Sequence, residues 1–262
     1  MIRSPLITVM VQAVRKAGRT LARDFGEVEQ LQVSMKGPGD FVSAADRKAE
    51  DTIFAELSRA RPNYGFLMEE RGTVEGTDPA NTWVVDPLDG TTNFLHGIPI
   101  FSISLALVRN GVPVAGVIYN PVSDELYVAE SGQGAYLNER RIRVAARRKL
   151  ADCVVCCGVP HMGRGDHAQF NRELELVQPQ VSGLRRTGSA AIDLAWTAAG
   201  RFDAFWERNL SPWDMAAGIV LVREAGGYVS DMDDGDKMLD NGHIIAGNEL
   251  IRRDLQKLLK KA

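Results

Sequence analysis

The chain has 262 residues, 45% hydrophobic and 25% charged, which is ample material for a core and allows one large domain or two small ones. The formal net charge of −3 excludes a nucleic-acid binder that relies on bulk positive charge. No apolar run reaches the length of a membrane span. The three cysteines, Cys153, Cys156 and Cys157, make a poor disulfide framework and fit a reducing cytoplasm.

In chain order, Leu6, Met10, Val14, Ala17, Leu21 and Phe25 recur at steps of four and three and predict an amphipathic helix over 4–28. Its basic residues match a transit peptide in composition, but the apolar stripe reads as a core helix. Lys36-Gly37-Pro38-Gly39-Asp40 is loop chemistry that could move. Ser43 to Arg61 predicts a second helix, with Ser43 and Asp46 as a capping box, ended by Pro62. Tyr64 to Met68 reads as a strand running into Glu69-Glu70, and residues 72–81 as a polar connection.

Val84-Val85 is strand-like, and Ser102–Val108 and Val112–Tyr119 flank an Asn110-Gly111 hairpin turn. Leu126–Ala129 and Ala135–Leu137 suggest further antiparallel strands. Cys153–Val159 reads as a buried strand, Gln169–Gln178 as a helix, and Ser189–Ala199 as a small-residue helix closed by Gly200. A strand at Phe202–Trp206 precedes a helix over Ser211–Ala225, with Ser211 at the N-cap, Pro212 in the first turn and Gly226-Gly227 after the end. Short strands at Tyr228–Ser230 and His243–Ala246 and a helix at Glu249–Lys260 complete the chain. Helices and strands interleave, so the class is mixed α/β in layers.

The richest stretch is Trp83 to Phe94, Trp-Val-Val-Asp-Pro-Leu-Asp-Gly-Thr-Thr-Asn-Phe. Asp86 ends an apolar run, where a strand can aim it. Pro87 lacks an N–H and turns the chain, which frees the Leu88 carbonyl to point inward. Asp89 then returns a second carboxylate to the same side. Hard cations such as Mg²⁺ take oxygen ligands of this kind. Gly90 and Thr91 would open a helix whose free N–H groups can hold a phosphate. Glu69 and Glu70 follow another strand end, where alternation lets only one of them serve the same site. Asp46 and Asp214 each sit third in a helix after a capping serine and could both cap and ligate. Ala216, Ala217 and Gly218 leave the helix of Asp214 a bare face for close approach of another backbone.

Asp86-Pro87-Leu88-Asp89-Gly90-Thr91-Thr92-Asn93-Phe94 and Trp213-Asp214-Met215-Ala216-Ala217-Gly218 resemble the two signature motifs of the inositol monophosphatase family. Ser43-Ala44-Ala45-Asp46 resembles its Val-Thr-x-x-Asp segment, Phe66-Leu67-Met68-Glu69-Glu70 its Gly-Glu-Glu segment, and Gly188-Ser189-Ala190-Ala191 its sugar-side loop. Ser43 replaces the usual Thr and Met68 the usual Gly; neither change removes a ligand. Arg185-Arg186-Thr187-Gly188-Ser189 and Gly247-Asn248 look most like the bacterial SuhB-type branch.

The resemblance covers nearly the whole chain and implies a single layered α-β-α-β-α sandwich over 1–262, with halves at about 1–147 and 148–262. It implies two or three Mg²⁺ ions on Glu69, Asp86, the Leu88 carbonyl, Asp89 and Asp214. Gly90 and Thr91 would hold the phosphate. Asp46 would hydrogen-bond Thr91 and, with Glu69, activate the attacking water. Gly188, Ser189, Ala190 and Glu207 would line the polyol pocket, with Asp89 and Asp214 in reach of hydroxyls and Arg185 a further candidate. The implied reaction is hydrolysis of a small polyol monophosphate, myo-inositol monophosphate above all, by direct water attack, with Li⁺ inhibition and a homodimer. Sibling specificities are histidinol phosphate, fructose 1,6-bisphosphate and a 3′-phosphoadenosine nucleotide; Glu207 would repel a second phosphate. SuhB-type proteins are also linked to transcription and ribosomal RNA maturation. A transcription-machinery partner would then meet the basic stretch Arg140–Lys149 and Arg185-Arg186.

The remaining features read as structural. The cysteines with His161 lack a second ligand pair for zinc, and the run is apolar and β-branched. Arg140-Arg141-Ile142-Arg143 suits a solvated hairpin edge. Arg164-Gly165-Asp166 and Asn209-Leu210-Ser211 match extracellular motifs by chance.

Overall fold

The structure, a computed structural model, describes residues 4–27, 33–37, 40–161 and 163–262, without the side chains of 33–37 and 40–43. Helix α1 (Pro5–Phe25) starts where the Ser4 hydroxyl accepts the Ile7 N–H at 3.1 Å. Strands β1 (Val33–Gly37) and β2 (Asp40–Ser43) form a hairpin ahead of α2 (Ala44–Ala60). Pro38-Gly39 of the expected loop and the Ser43 side chain of the expected capping box lie outside the described residues.

Strand β3 (Tyr64–Met68) follows, then β4 (Gly72–Val74) and the long β5 (Asp78–Asp89). The polar connection expected over 72–81 is therefore partly strand. β4 folds back on β3 as a short sheet edge, Leu67 opposite Thr73, and its three residues, Gly-Thr-Val, are too few to show an alternation. A short α3 (Thr91–Leu95) precedes the meander β6 (Ser102–Arg109), β7 (Val112–Asn120), β8 (Glu125–Glu130), β9 (Gly134–Leu137) and β10 (Arg140–Arg141). The β6–β7 turn has φ of 50° at Asn110 and 79° at Gly111, the left-handed pair that suits strand twist.

The second half comprises β11 (Val154–Cys157), α4 (His167–Val177), β12 (Gly183–Arg185), α5 (Ala190–Ala198), β13 (Ala204–Glu207) and α6 (Pro212–Glu224). It ends with β14 (Tyr228–Ser230), α7 (Met238–Asn241), β15 (Ile244–Gly247) and α8 (Glu249–Leu259). β12 was not foreseen, because three residues are too few to show a period.

An eight-stranded sheet has the order β10-β9-β8-β7-β6-β5-β3-β4, and a five-stranded sheet the order β12-β11-β13-β15-β14. Three apolar clusters separate five layers. The first joins α1 and α2 to one face of the large sheet, through Trp83 and Val85 of β5. The second joins the opposite face, through Val84, to α5 and α6 and to Cys156 and Phe205 of the small sheet. The third joins Val155, Cys157 and Trp206 on the far face of that sheet to α4 and α8. Alternate residues of β5, β11 and β13 thus enter different cores, as strand geometry requires. The result is the expected α-β-α-β-α sandwich.

The same alternation puts Cys156 in one core and Cys157 in another, so the buried, unpaired cysteines form no common metal site. Arg140 and Arg141 lie exposed on the edge strand of the large sheet. Among the described residues no helix is long and apolar enough to cross a membrane.

Helix α6 lies close on the large sheet. A Cβ on Gly116 of β7 would stand 2.5 Å from the Ala217 carbonyl oxygen, and one on Gly218 would overlap Leu194 of α5. The small-residue face read from sequence is therefore the contact that lets the central layer lie flat between the sheets.

Candidate active site

The pairing of β5 with β6 explains how Asp86 and Asp89 share a side. Asp86 stands opposite Ser104 and Asp89 opposite Ser102, so three steps on β5 match two on β6. Ser102 and Ser104 point the same way, being two apart. The extra residue at Pro87-Leu88 is a bulge, which proline favours because it has no N–H for the ladder. Without it the two aspartates would face opposite sides. The Asp86 carboxylate also accepts the Leu88 N–H at 2.9 Å, which stiffens the turn.

Gly90 has φ of 93°, and a Cβ there would lie 3.1 Å from the Ile100 carbonyl oxygen and 3.3 Å from that of Gly188. Both the conformation and the space call for glycine. Gly90, Thr91 and Thr92 line the cavity at the start of α3, where first-turn amides have no intrahelical acceptor. The Thr91 hydroxyl donates to the Leu88 carbonyl at 2.9 Å.

Asp214 arrives from the start of α6. Its carboxylate accepts the Ser211 N–H at 2.7 Å, and the Ser104 hydroxyl ties the Trp213 carbonyl to β6 at 2.9 Å. Asp214 is thus both cap and site residue. Asp86, Asp89 and Asp214 each present an oxygen within 4.8 Å of the others. Asp46, Glu69 and Glu70 form a second group within the same distance. β3 ends at Met68, so strand alternation does not separate the two glutamates. Glu69 still lines the cavity while Glu70 turns toward Arg47, 3.6 Å away.

Burial dominates the titration of this site. Asp86 is held well above the usual carboxylate range by burial, then by the charges of Glu69, Asp89, Asp214 and Asp46. Burial raises Asp89 to about 7 against the bonds from Ser189 and Ala191, and raises Asp214 to about 7 with help from Asp89. Such crowding of buried acids is costly without positive charge among them. Among the described residues, the nearest side-chain cation to Asp214 is Arg164, at 3.9 Å. An all-oxygen, acid-rich donor set of this kind fits a hard divalent cation.

The opposite wall is the sugar-side loop and β13. Gly188, Ser189, Ala190 and Glu207 line the cavity. The Glu207 carboxylate lies against the Cα of Gly158, where any side chain would overlap it. Burial, followed by the charges of Asp193, Asp214 and Asp89, raises Glu207 well above its ordinary value. Arg185 does not line the cavity; it is exposed and donates to the Leu184 carbonyl at 2.8 Å. Its neighbour Arg186 lines the cavity instead.

A model of the inositol monophosphatase family matches residues 2–262. The chain belongs to the inositol monophosphatase family. It is a phosphoric monoester hydrolase. A protein of Mesorhizobium japonicum named inositol-1-monophosphatase is 67% identical over 261 residues, covering 100% of this chain and 98% of its own. A crystal structure of the extragenic suppressor protein suhB from Bartonella henselae has a TM-score of 0.96 at 59% identity, covering 99% of this chain and 100% of its own. A Pseudomonas aeruginosa protein named Nus factor SuhB is 42% identical over 248 residues, covering 93% of this chain and 92% of its own.

Several cavity residues of this family member escaped the sequence reading of the site, among them Arg164, Glu173, Arg186 and Asp193. Arg164 donates to the Asn209 carbonyl at 3.1 Å, and the adjoining Asp166 caps α4 by accepting the Gln169 N–H at 2.8 Å. The Arg-Gly-Asp run is thus part of the cavity wall. Its signal was the capping aspartate. Glu173 accepts from Trp206 Nε1 at 3.0 Å and Arg208 Nε at 2.6 Å, the two sequence neighbours of Glu207. Asp193 accepts the Thr187 hydroxyl at 2.6 Å. An acid between Ile192 and Leu194 in an otherwise apolar helix was a signal that could have found it.

Proposed function

We propose that this protein is a Mg²⁺-dependent phosphatase of a small polyol monophosphate, with myo-inositol monophosphate the favoured substrate. The observation that carries the reading is the buried group Asp86, Asp89 and Asp214, whose oxygens lie within 4.8 Å beside helix-start amides suited to phosphate. The name of the 67% identical relative supports inositol monophosphate as its substrate class. Glu69, Asp86, the Leu88 carbonyl, Asp89 and Asp214 would hold two or three Mg²⁺ ions.

When bound, Mg²⁺ supplies Lewis-acid charge for the phosphate and the departing oxygen. The chain itself does the rest. The amides of Gly90 and Thr91 grip phosphate oxygens from the α3 end. Carboxylate oxygens of Glu69 and Asp46 take the proton of the water that attacks phosphorus. The new bond is O–P, the ester P–O bond breaks, and the polyol leaves with a proton from solvent. Glu207, Ser189 and Ala190 orient the hydroxyls of the polyol. Glu207 disfavours a second phosphate, which argues against fructose 1,6-bisphosphate and nucleotide bisphosphates.

The test is phosphate release from phosphorylated polyols, histidinol phosphate and nucleotides, with Mg²⁺ and with added Li⁺. Inositol monophosphate is expected to lead and Li⁺ to inhibit. Activity without divalent cation, or unchanged in Asp89→Asn, overturns the reading. We also propose a homodimer in a reducing cytoplasm, in keeping with three free buried cysteines. A second role on the transcription machinery draws on the Nus factor SuhB relatives and on the exposed Arg140-Arg141 edge. Capture of partners by an inactive variant supports it; no capture by either form removes it.

A further inference from the structure

We infer that Asp193 is a positioning residue for the cation centre, acting through Thr187 and Ser189 on Asp89. The inference rests on the proposed metal role of Asp89. Asp193, in the first turn of α5, is 1% exposed yet lines the cavity. Its Oδ1 accepts the Thr187 hydroxyl at 2.6 Å. That hydroxyl has one proton and so donates to Asp193, while its oxygen accepts the Ser189 N–H at 3.4 Å. Ser189 caps α5 by accepting the Ile192 N–H at 3.3 Å, and its own hydroxyl proton goes to Asp89 Oδ2. The Ala191 N–H also donates to Asp89 Oδ2, at 2.8 Å.

Two donors on one oxygen fix the carboxylate plane. Asp89 Oδ2 is saturated by the α5 N-terminus, which leaves Oδ1 as the better cation ligand. The direction of Oδ1 then depends on where Ser189 stands. Ser189 follows Gly188, whose φ is 91°, a joint with no side chain to stiffen it. The joint is braced on both sides. Asn93 Nδ2 donates to the Thr187 carbonyl at 2.8 Å and to the Ile100 carbonyl at 2.7 Å. Asp193 holds the Thr187 side chain from the helix below. One residue therefore faces the phosphate end through Asn93 and the cation end through Ser189.

The brace is specific in chemistry. Asp193 needs an acceptor oxygen at its present place, which asparagine also offers. Thr187 needs a hydroxyl, which serine offers and valine does not. Valine keeps the shape of threonine and removes the bond without touching a charge.

The experiment is Mg²⁺ binding by titration calorimetry on the full-length protein without substrate, for wild type, Asp193→Ala, Asp193→Asn, Thr187→Val, Thr187→Ser and Asp89→Asn. Thermal melts in chelator confirm that each variant is folded. Asp193→Ala and Thr187→Val are expected to weaken Mg²⁺ by about three- to tenfold, below the range of about ten- to a hundredfold usual for a direct partner of a ligand. Asp193→Asn and Thr187→Ser are expected to recover most of that loss. In steady state, the alanine and valine variants raise the Mg²⁺ needed for half activity more than they lower kcat at saturating Mg²⁺. If Thr187→Val binds Mg²⁺ as wild type does while Asp89→Asn does not, Asp193 has no positioning role. If Asp89→Asn binds as wild type does, the metal assignment itself fails, and the two failures are distinguishable. A folded Asp193→Ala that loses kcat with unchanged Mg²⁺ affinity also overturns the inference.

Discussion

Replacing Asp89 by asparagine is expected to move stability in opposite directions with and without divalent cation. Asp89 is buried, and its carboxyl sits at about 7 against 3.8 in an unfolded chain. A raised folded-state value means that folding favours the neutral form. The contribution is complete below 3.8 and is lost as pH rises through about 7. At 1.36 kcal/mol per pH unit, ionised Asp89 costs the metal-free fold up to about 4 kcal/mol. About half of that is the expected net gain, because Asp86 and Asp214 ionise more readily once Asp89 is neutral.

The asparagine oxygen can take the place of Oδ2 and keep the bonds from Ser189 and Ala191. A gain of about 2 kcal/mol corresponds to a Tm rise of roughly 4–8 °C for a chain of this size. Calorimetry in chelator is the assay. Asp89→Asn should melt above wild type at about pH 8 and level with it at about pH 4. With Mg²⁺ at about a hundred times its Kd, wild type should gain about 2.7 kcal/mol and the variant much less. A metal-free variant that melts at or below wild type at about pH 8 would refute the reasoning.

Other substitutions probe different parts of the molecule. Asp46→Asn should lower kcat by about a hundredfold while Mg²⁺ affinity by calorimetry stays within about threefold, since Asp46 is assigned to the attacking water and not to the cation's ligand set. Glu207→Gln should raise kcat/KM for a sugar bisphosphate relative to inositol monophosphate by about tenfold, read from parallel steady-state assays. Gly116→Ala should lower stability by about 1–3 kcal/mol in urea unfolding with metal present, because the added methyl meets backbone of α6 that cannot yield locally.

The parts of the site that could be read beforehand are those whose chemistry is local. Pro87 between two acids implies a break in pairing, and the break is the bulge that gathers Asp86 and Asp89. Ala216, Ala217 and Gly218 imply close approach, and Gly116 is what approaches. Glu173 was out of reach for the opposite reason. It is an acid inside a helix, and only the docking of α4 against other elements decides that it is buried and bonded. Arg185 and Arg186 differ by a single step along the end of β12. Which of them faces the cavity is set by pairing with β11, in the register Cys156 to Arg185. A three-residue strand cannot announce that register.

Asp86 and Asp89 belong to the large sheet, whereas Asp214 begins a helix whose apolar residues share a core with the small one. A cation held by all three would work as a clasp between segments more than a hundred positions apart. It closes last, because each segment must first be docked before three oxygens can meet within 4.8 Å. Contacts absent from the folding transition state slow unfolding without speeding folding. The bound enzyme should therefore resist proteolysis and heat through a lengthened native lifetime, and chelation should shorten that lifetime while leaving the refolding rate as it was.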